Sequence, residues 1–387
     1  DSIRPLSLLF HNKVDRHPDF YVSPLQTFVT AFAFVLRQPS DRAAAAASGV
    51  YLLPTLWLVF LIGSRVGGPG VAAVATLGCL LAPSVLREAF SGTGTQLAAF
   101  LFTLWIYLAL CKDAATDDDD EFGPSRPASW GWRRSVWSGV VFGLLMLTDW
   151  HFAVLWPLAA AFVLSWAASR LRLRSVLPFL VGALVVVSPL LVRNLRLTGN
   201  PVFSVRNYLA VAGTARYPGT SLFRSLSPPA RGAATLAARS LRPIARKSLI
   251  RTLQLRDHFA GWLDPYLFAM LLAGLIAVSG PVVRLGLKGP LLAFLLLQAL
   301  LGCVFEAPPG SFLPFAPLGL VLAADVLVNQ LSRDAGAVDR EGQRRRRPWL
   351  AQSGLPALVI GLAALPTFVL LAVGNAPENP DKTLGEL

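Results

Sequence analysis

Residues 176–194 read VLPFLVGALVVVSPLLVRN, in which seventeen uncharged residues run directly into Arg193 and Asn194. A helix of this length rises about 25 Å, which is close to the ~30 Å thickness of the hydrocarbon core of a bilayer. The stretch is rich in Val and Leu, which favour a lipid environment. It therefore predicts a transmembrane helix that ends at a polar membrane boundary.

The rest of the chain repeats this pattern. Of the 387 residues, 54% are hydrophobic and 15% are charged, whereas about 25% charged residues are usual in soluble domains. The charges fall in blocks between long uncharged stretches. This composition excludes a soluble globular protein and predicts a polytopic membrane protein.

We predict an all-α fold with about ten transmembrane helices. Their approximate ranges are 43–63, 71–90, 97–111, 136–147, 153–168, 176–192, 263–283, 290–305, 312–331 and 350–374. The apolar stretch at 24–36 is too short to cross a bilayer and is predicted to be an interfacial helix. Because the sequence starts without Met or a signal peptide, we expect one further helix before Asp1.

The basic residues orient these helices. The short connections 91–96, 149–152 and 306–311 contain no Lys or Arg, whereas the alternate connections do. The positive-inside rule places the first set outside, and it accounts for the net charge of +13 without a nucleic-acid partner. The predicted organisation is an extracytoplasmic first loop with a juxtamembrane helix at 1–42, transmembrane helices at 43–192, an extracytoplasmic loop at 193–262, transmembrane helices at 263–374 and an extracytoplasmic tail at 375–387.

The long loop contains a basic amphipathic segment. Within residues 230–256, apolar side chains recur at helical spacing and are interleaved with Arg and Lys. Such a segment is typical of a helix lying on a membrane surface. Two interpretations stay open at this point: its basic face binds anionic lipid headgroups or a phosphorylated substrate, or the helix is only an interfacial anchor.

Metal binding has little support in the sequence. The acidic run at 117–121 is flanked by Gly and Pro and is predicted to be a solvated cytoplasmic loop. No motif requires a metal or another cofactor, and no His pair has metal-ligand spacing. We therefore assign no metal ligands, although the acidic loops leave a divalent metal open as an alternative.

Polar residues at the outer membrane boundary are the candidate functional residues. Ionisable groups at such a boundary are costly unless they are solvated or paired, so they mark functional sites more often than ordinary surface charges do. Carboxylates collected beside arginines suit a general base that acts next to a bound phosphate. The candidates are Asp1, Arg4, Glu88, Asp149, His151, Arg193 and Asn194.

Four segments resemble motifs of the GT-C superfamily of polytopic glycosyltransferases, in particular the protein mannosyltransferases and aminoarabinose transferases. SPLLVRNLRLTGNPVF (188–203) resembles the family's P-W-x-x-R-N-x-x-x-x-G-N-P stretch at a helix end. HPDFYVSPLQTFVTAFAFVL (17–36), GLLMLTDWHFAVLWP (143–157) and SFLPFAPLGLVLAAD (311–325) resemble three further family segments in the same order. The resemblance extends over most of the chain.

The resemblance implies a transferase that moves a sugar from a polyprenyl-phosphate donor to an acceptor on the extracytoplasmic side of the membrane. The Ala-, Arg-, Gly- and Leu-rich composition favours a bacterial source, so the expected location is a bacterial cytoplasmic membrane. Inversion at the anomeric carbon with a carboxylate as general base is expected. Asp1 matches the family's catalytic carboxylate, and Glu88 is the candidate for a second one. Arg193, Asn194 and Arg4 are expected to bind the donor phosphate, and Asp149 and His151 are possible substrate contacts.

Departures from the family pattern keep a second class of function open. Glu88 is out of register, Asp149 stands where the family has Lys, and Gly310-Ser311-Phe312 replaces a basic residue. These changes are compatible with a catalytically degenerate GT-C-like scaffold within a larger membrane protein complex. A transporter is disfavoured, because the sequence has no internal repeat.

Overall fold

A computed structural model describes residues 24–110, 132–166, 172–215, 217–218, 237–260, 272, 287–305 and 309–336. In these ranges the chain is helical, with one isolated bridge between Thr214 and Tyr217 and no strand. The helices are α1 (Pro24–Leu36), α2 (Asp41–Gly49), α3 (Leu52–Leu81), α4 (Pro83–Ala89), α5 (Thr95–Leu110), α6 (Trp132–Thr148), α7 (His151–Trp166), α8 (Arg172–Thr198), α9 (Leu241–Ala260), α10 (Lys288–Phe305) and α11 (Ala316–Gly336). Two 3₁₀ helices cover Val205–Ala210 and Pro309–Phe315.

Four helical segments of the described residues are long and apolar enough to cross a membrane: Asp41–Leu81, Val176–Leu197, Lys288–Phe305 and Gly310–Val328. The first contains a break at Gly68, whose φ of 84° and ψ of −175° are not helical. Beyond this break the chain reverses, because a Cβ built on Gly63 would lie 2.7 Å from Ala72 Cα, whereas nine residues of continuous helix rise about 13 Å. The predicted span 43–63 covers most of α2 and the first part of α3, and the predicted span 71–90 covers the last part of α3 and α4.

The chain divides into two compact units, of which one comprises residues 44–107, 260–292 and 313–387. Its described core consists of the α3 hairpin, α5 and the almost completely buried first part of α11. Phe102 of α5 meets Phe315 edge to face, with ring centroids 4.9 Å apart. The α3 turn comes close to α11, where a Cβ on Gly67 would lie 2.9 Å from Asp325 Oδ1.

The other unit comprises residues 1–43, 108–259 and 293–312. In it α6 packs closely on α8 through a seam of small residues. A Cβ on Gly139 would lie 2.0 Å from the carbonyl oxygen of Phe179, and a Cβ on Gly182 would lie 2.5 Å from that of Val136. Glycines spaced four residues apart, here Gly139 and Gly143, allow such close approach of two membrane helices. The seam therefore fixes α6 against α8.

Aromatic side chains fill the space beside this seam. Phe142 of α6 contacts Phe179 of α8 at 5.8 Å between ring centroids and Phe152 of α7 at 6.5 Å, and all three are fully or almost fully buried. Because α6 and α7 are joined by a two-residue turn, the end of α6 and the start of α7 lie on the same side of this bundle. The end of α8 lies there too, since Gly139 meets Phe179 and Gly143 meets Ala183, so that α6 and α8 run in the same direction. That side carries the candidate site.

Several predicted ranges coincide with helices of the structure to within a few residues. The short apolar stretch at 24–36 forms α1, and the predicted basic amphipathic segment 230–256 overlaps α9. The predicted count of about ten spans is not confirmed, since the described residues contain four candidate spans. The predicted helix at 350–374, all but one residue of that at 263–283, and the acidic run at 117–121 lie outside the described residues.

Candidate functional site

The turn between α6 and α7 is built on a carboxylate. Oδ1 of Asp149 accepts a hydrogen bond from the backbone N–H of His151 at 3.2 Å and contacts His151 Nδ1 at 2.9 Å. An acidic side chain that accepts from an N–H at a helix start supplies a partner that the helix itself lacks. Asp149 therefore begins α7 and orients the imidazole of its first residue.

The same carboxylate contacts the long loop. Arg206, in the 3₁₀ helix Val205–Ala210, lies 3.6 Å from Asp149 Oδ1 through its Nη1 atom. Burial on its own would raise the pKa of Asp149, but His151 and Arg206 oppose it, and the net effect holds the pKa below its usual range. The ionised carboxylate of Asp149 is therefore stabilised by its contacts with His151 and Arg206.

His151 lies in an aromatic environment and is only 3% exposed. The Trp150 ring lies over it with centroids 4.6 Å apart, and Trp150 also meets Phe305 of α10 edge to face at 5.0 Å. Nε2 of His151 has no hydrogen-bond partner among the described residues. The two ring nitrogens therefore differ: Nδ1 contacts the Asp149 carboxylate, whereas Nε2 forms no hydrogen bond with the described residues.

The end of α8 contributes the predicted Arg-Asn pair. Asn194 is 5% exposed; its Nδ2 donates to the carbonyl oxygen of Phe203 at 3.0 Å, and its Oδ1 accepts from Arg193 at 3.3 Å. Gly199, with φ of 75°, follows the helix and donates to Leu195, as expected of a left-handed glycine after a helix. The buried amide therefore fixes the loop, and the neighbouring Arg193 is partly exposed.

The 3₁₀ helix is fixed from two directions. The side chain of Ser204 accepts from the backbone N–H of Arg206 at 3.2 Å and so begins this helix. At its other end, the buried Lys247 of α9 donates to the carbonyl oxygens of Leu209, at 2.7 Å, and Ala212. A chain of contacts thus runs from α8 through the 3₁₀ helix to Asp149 on one side and α9 on the other.

Of the predicted site residues, Asp149, His151, Arg193 and Asn194 belong to one compact unit and to this chain of contacts. Glu88 belongs to the other unit, at the end of α4, where its carboxylate accepts from Thr93 at 3.4 Å and its carbonyl oxygen accepts from Ser91 at 2.8 Å. Asp1 and Arg4 lie outside the described residues.

Sequence reasoning did not identify Arg206. The segment SVRNY around it carries no motif, and its contact with Asp149 depends on a fold of the loop that periodicity does not report. Lys247 was expected on the basic face of an amphipathic helix, yet it is buried. Lys247 directly follows the exposed Arg246, and adjacent residues on a helix point in different directions. This spacing is the signal in the sequence that the two cations do not share one face.

The fold resembles that of known membrane transferases. The oligosaccharyltransferase AglB of Archaeoglobus fulgidus, solved with an inhibitory peptide and a dolichol-phosphate, matches with a TM-score of 0.54 at 16% identity, over 95% of this chain and 50% of that one. A second structure of the oligosaccharyltransferase from that organism, tethered to an acceptor peptide, matches with a TM-score of 0.53 at 15% identity, over 90% and 46%. ArnT of Cupriavidus metallidurans in the apo state gives 0.49 at 15% identity, over 96% and 65%. No family model and no curated protein matches the sequence.

These comparisons confirm the GT-C-like fold that the sequence motifs implied. With its apolar helices, the fold is that of an integral membrane protein. The chain spans about half the length of the archaeal oligosaccharyltransferase. The comparisons give no support to a protein complex.

Proposed function

We propose that the chain is an integral membrane glycosyltransferase that moves a sugar from a polyprenyl-phosphate donor to an acceptor on the extracytoplasmic side of a bacterial cytoplasmic membrane. The observation that carries the proposal is the placement of Arg193 and the Asp149–His151–Arg206 group at one end of the α6–α8 bundle. It is supported by the GT-C-like fold, which is shared with a transferase solved in the presence of a dolichol-phosphate.

Arg193 is assigned to the donor phosphate. It is partly exposed at the end of a candidate membrane span, which is the depth at which the phosphate of a membrane-bound lipid lies. A guanidinium forks onto two phosphate oxygens and stabilises the charge that develops as the phosphate leaves. Asn194 orients the guanidinium for this role, since its Oδ1 accepts a hydrogen bond from Arg193. Arg4 is proposed as a second cation at the same phosphate.

The reaction is a single displacement. The acceptor hydroxyl oxygen attacks the anomeric carbon, the bond from that carbon to the phosphate oxygen breaks with its electron pair going to the phosphate, and the configuration inverts. The hydroxyl proton passes to a carboxylate acting as general base. Asp1 is proposed as this base from the motif resemblance. Glu88, which is out of register with the family's second acidic position, is proposed as a second catalytic carboxylate.

Asp149 and His151 are proposed to contact or position the substrate. His151 is almost completely buried, whereas the side chain of Asp149 is 22% exposed, so a direct contact is expected through Asp149. Its anion also holds Arg206 beside the turn. The proposal uses no metal; among the described residues, no three His, Cys, Asp or Glu side chains lie close enough together to hold one.

The test is transfer by the purified chain in proteoliposomes that contain a polyprenyl phosphate carrying radiolabelled mannose or aminoarabinose. Membrane extract supplies the acceptor, and the radiolabel transferred to that acceptor is measured. We expect Arg193→Ala to raise the apparent donor KM or abolish turnover, and Asp1→Asn to abolish turnover while donor binding persists. Arg196→Ala is the matched control, since Arg196 is exposed three residues further along α8.

Two outcomes would overturn the assignment. Unchanged kinetics in Arg193→Ala would remove that residue from the donor site. A wild-type chain that neither binds nor cleaves either donor would favour the catalytically degenerate scaffold.

A further inference from the structure

Helix α9 has one face fixed against the rest of its unit. Ile244 packs against the cluster formed by Tyr208, Ala210, Val211 and Ala212. Lys247 is hydrogen-bonded to carbonyl oxygens of the 3₁₀ segment, and Thr252 donates to Sγ of Cys303 in α10 at 3.5 Å. These contacts fix the rotation of α9 about its axis, so the opposite face is defined.

The opposite face carries two kinds of side chain, separated along the helix. Arg242 and Arg246 are exposed in its first half, and Leu249, Ile250 and Leu253 are exposed in its second half, Leu253 by 76%. At about 100° per residue these five side chains share an arc of roughly 100°. The basic and apolar halves are about 10 Å apart along the axis.

The depth of the apolar half follows from its neighbour. Thr252 contacts Cys303, which lies in the last turn of the candidate membrane span Lys288–Phe305. Leu249, Ile250 and Leu253 are therefore level with the end of a membrane-spanning helix, where the hydrocarbon begins. The arginines lie on the half of α9 that contacts the loop through Lys247, and we expect them at the level of the headgroups.

The two arginines are spaced so that both can reach one anion. Residues four apart on a helix lie about 5–6 Å apart at Cβ, so their guanidinium groups can reach one phosphate. Like charges at this spacing repel each other unless an anion lies between them. Neither arginine side chain forms an ion pair or a hydrogen bond with another described residue.

We propose that the exposed face of α9 binds an anionic phospholipid, with Arg242 and Arg246 on its phosphate and Leu249, Ile250 and Leu253 against its acyl chains. The basic half of the face then contacts the lipid headgroup and the apolar half contacts the acyl chains, which is the order of these two layers in a bilayer. The basic amphipathic segment is thus a lipid-binding site and not only an anchor. This inference does not depend on the proposed transferase activity.

The experiment measures lipid retention by native mass spectrometry of the full chain, purified in detergent and supplied with phosphatidylglycerol or phosphatidylcholine. We expect the wild type to retain phosphatidylglycerol preferentially. In the double variant Arg242→Gln/Arg246→Gln this preference should fall by about tenfold to thirtyfold, given the contribution of two basic residues at a membrane surface. The control is Arg37→Gln/Arg42→Gln, which removes two exposed positive charges elsewhere.

Equal retention of the two lipids by the wild type, or an unchanged preference in the α9 double variant, overturns the proposal. Displacement of phosphatidylglycerol by millimolar inorganic phosphate alone would also overturn it, because the site would then be a phosphate site and not a lipid site. If the double variant does not fold, salt replaces it: retention of phosphatidylglycerol by the wild type should fall with added NaCl while that of phosphatidylcholine does not. No effect of salt would contradict the assignment.

Discussion

His151 Nδ1 lies 2.9 Å from Asp149 Oδ1, and the same oxygen accepts the backbone N–H of His151 and faces Arg206 at 3.6 Å. One carboxylate oxygen thus joins the α6–α7 turn, the first side chain of α7 and the 3₁₀ helix of the long loop. Removing this carboxylate is expected to destabilise the α6–α7 turn and also to weaken the attachment of the long loop to the helix bundle.

The first prediction concerns the stability of the protein in acid. The partners of Asp149 hold its pKa in the folded protein below the value of about 3.9 expected in an unfolded chain. A group of this kind stabilises the fold above its unfolded pKa, and the stabilisation is lost as the pH falls through the folded pKa. Asp149→Asn should therefore lower the thermal unfolding temperature at pH 7 and flatten its decline below about pH 4. Asp41→Asn, which removes an exposed carboxylate, is the matched control, and an unflattened decline in Asp149→Asn would contradict the prediction.

The second prediction concerns the buried ammonium group of Lys247. Replacing it with Met keeps the apolar stem but leaves the carbonyl oxygens of Leu209 and Ala212 without their donor. An unsatisfied buried acceptor costs about 1–3 kcal/mol, so Lys247→Met should lower the free energy of unfolding by about that amount per lost bond. Arg239→Met, at an exposed position just before α9, removes the same charge and should have little effect. Equal unfolding temperatures for the two variants in detergent would show that the hydrogen bonds of Lys247 do not stabilise the fold.

Uncharged stretches predicted most of the helices that the structure describes. Helices α5 to α8, α10 and α11 each coincide with a predicted span to within a few residues, because the demand for a long apolar stretch is local in sequence. A reversal within α3 was also expected, since the predicted spans 43–63 and 71–90 are separated by a short connection that contains Arg65. The Gly139–Gly182 seam was not, because the partner of a small residue in a membrane helix lies on another helix.

The candidate site was predictable only where its residues stand out locally in the sequence. Asp149 and Arg193 stand out as charges at the ends of uncharged stretches. Arg206 lies in a loop of mixed composition, where a charge is ordinary, and only the folding of the loop brings it to Asp149. Asn194 was assigned to the donor phosphate on the motif resemblance, and the structure shows both ends of its amide hydrogen-bonded within the protein.

The third prediction tests the packing of α6 on α8. In Gly139→Ala the new methyl group would lie 2.0 Å from a backbone oxygen of Phe179, which cannot move without shifting α8. Overpacking of this kind costs about 1–3 kcal/mol. Gly289→Ala is the matched control, since a Cβ on Gly289 meets nothing within 4 Å. We expect thermal unfolding at a lower temperature for the first variant only; similar curves for both would mean that the two helices are not in close contact at Gly139.

The fourth prediction tests the reversal within α3. Gly68 has φ of 84° and ψ of −175°, a combination that is essentially restricted to glycine and costs other residues about 1–3 kcal/mol. A Cβ there would meet no atom within 4 Å, so the effect of Gly68→Ala isolates backbone strain from steric overlap. We expect a lower unfolding temperature for Gly68→Ala than for Gly289→Ala, which adds the same methyl group within α10. A Gly68→Ala variant as stable as the wild type would show that the chain turns here with a different backbone conformation, and the two legs of α3 would then have to be joined in another way.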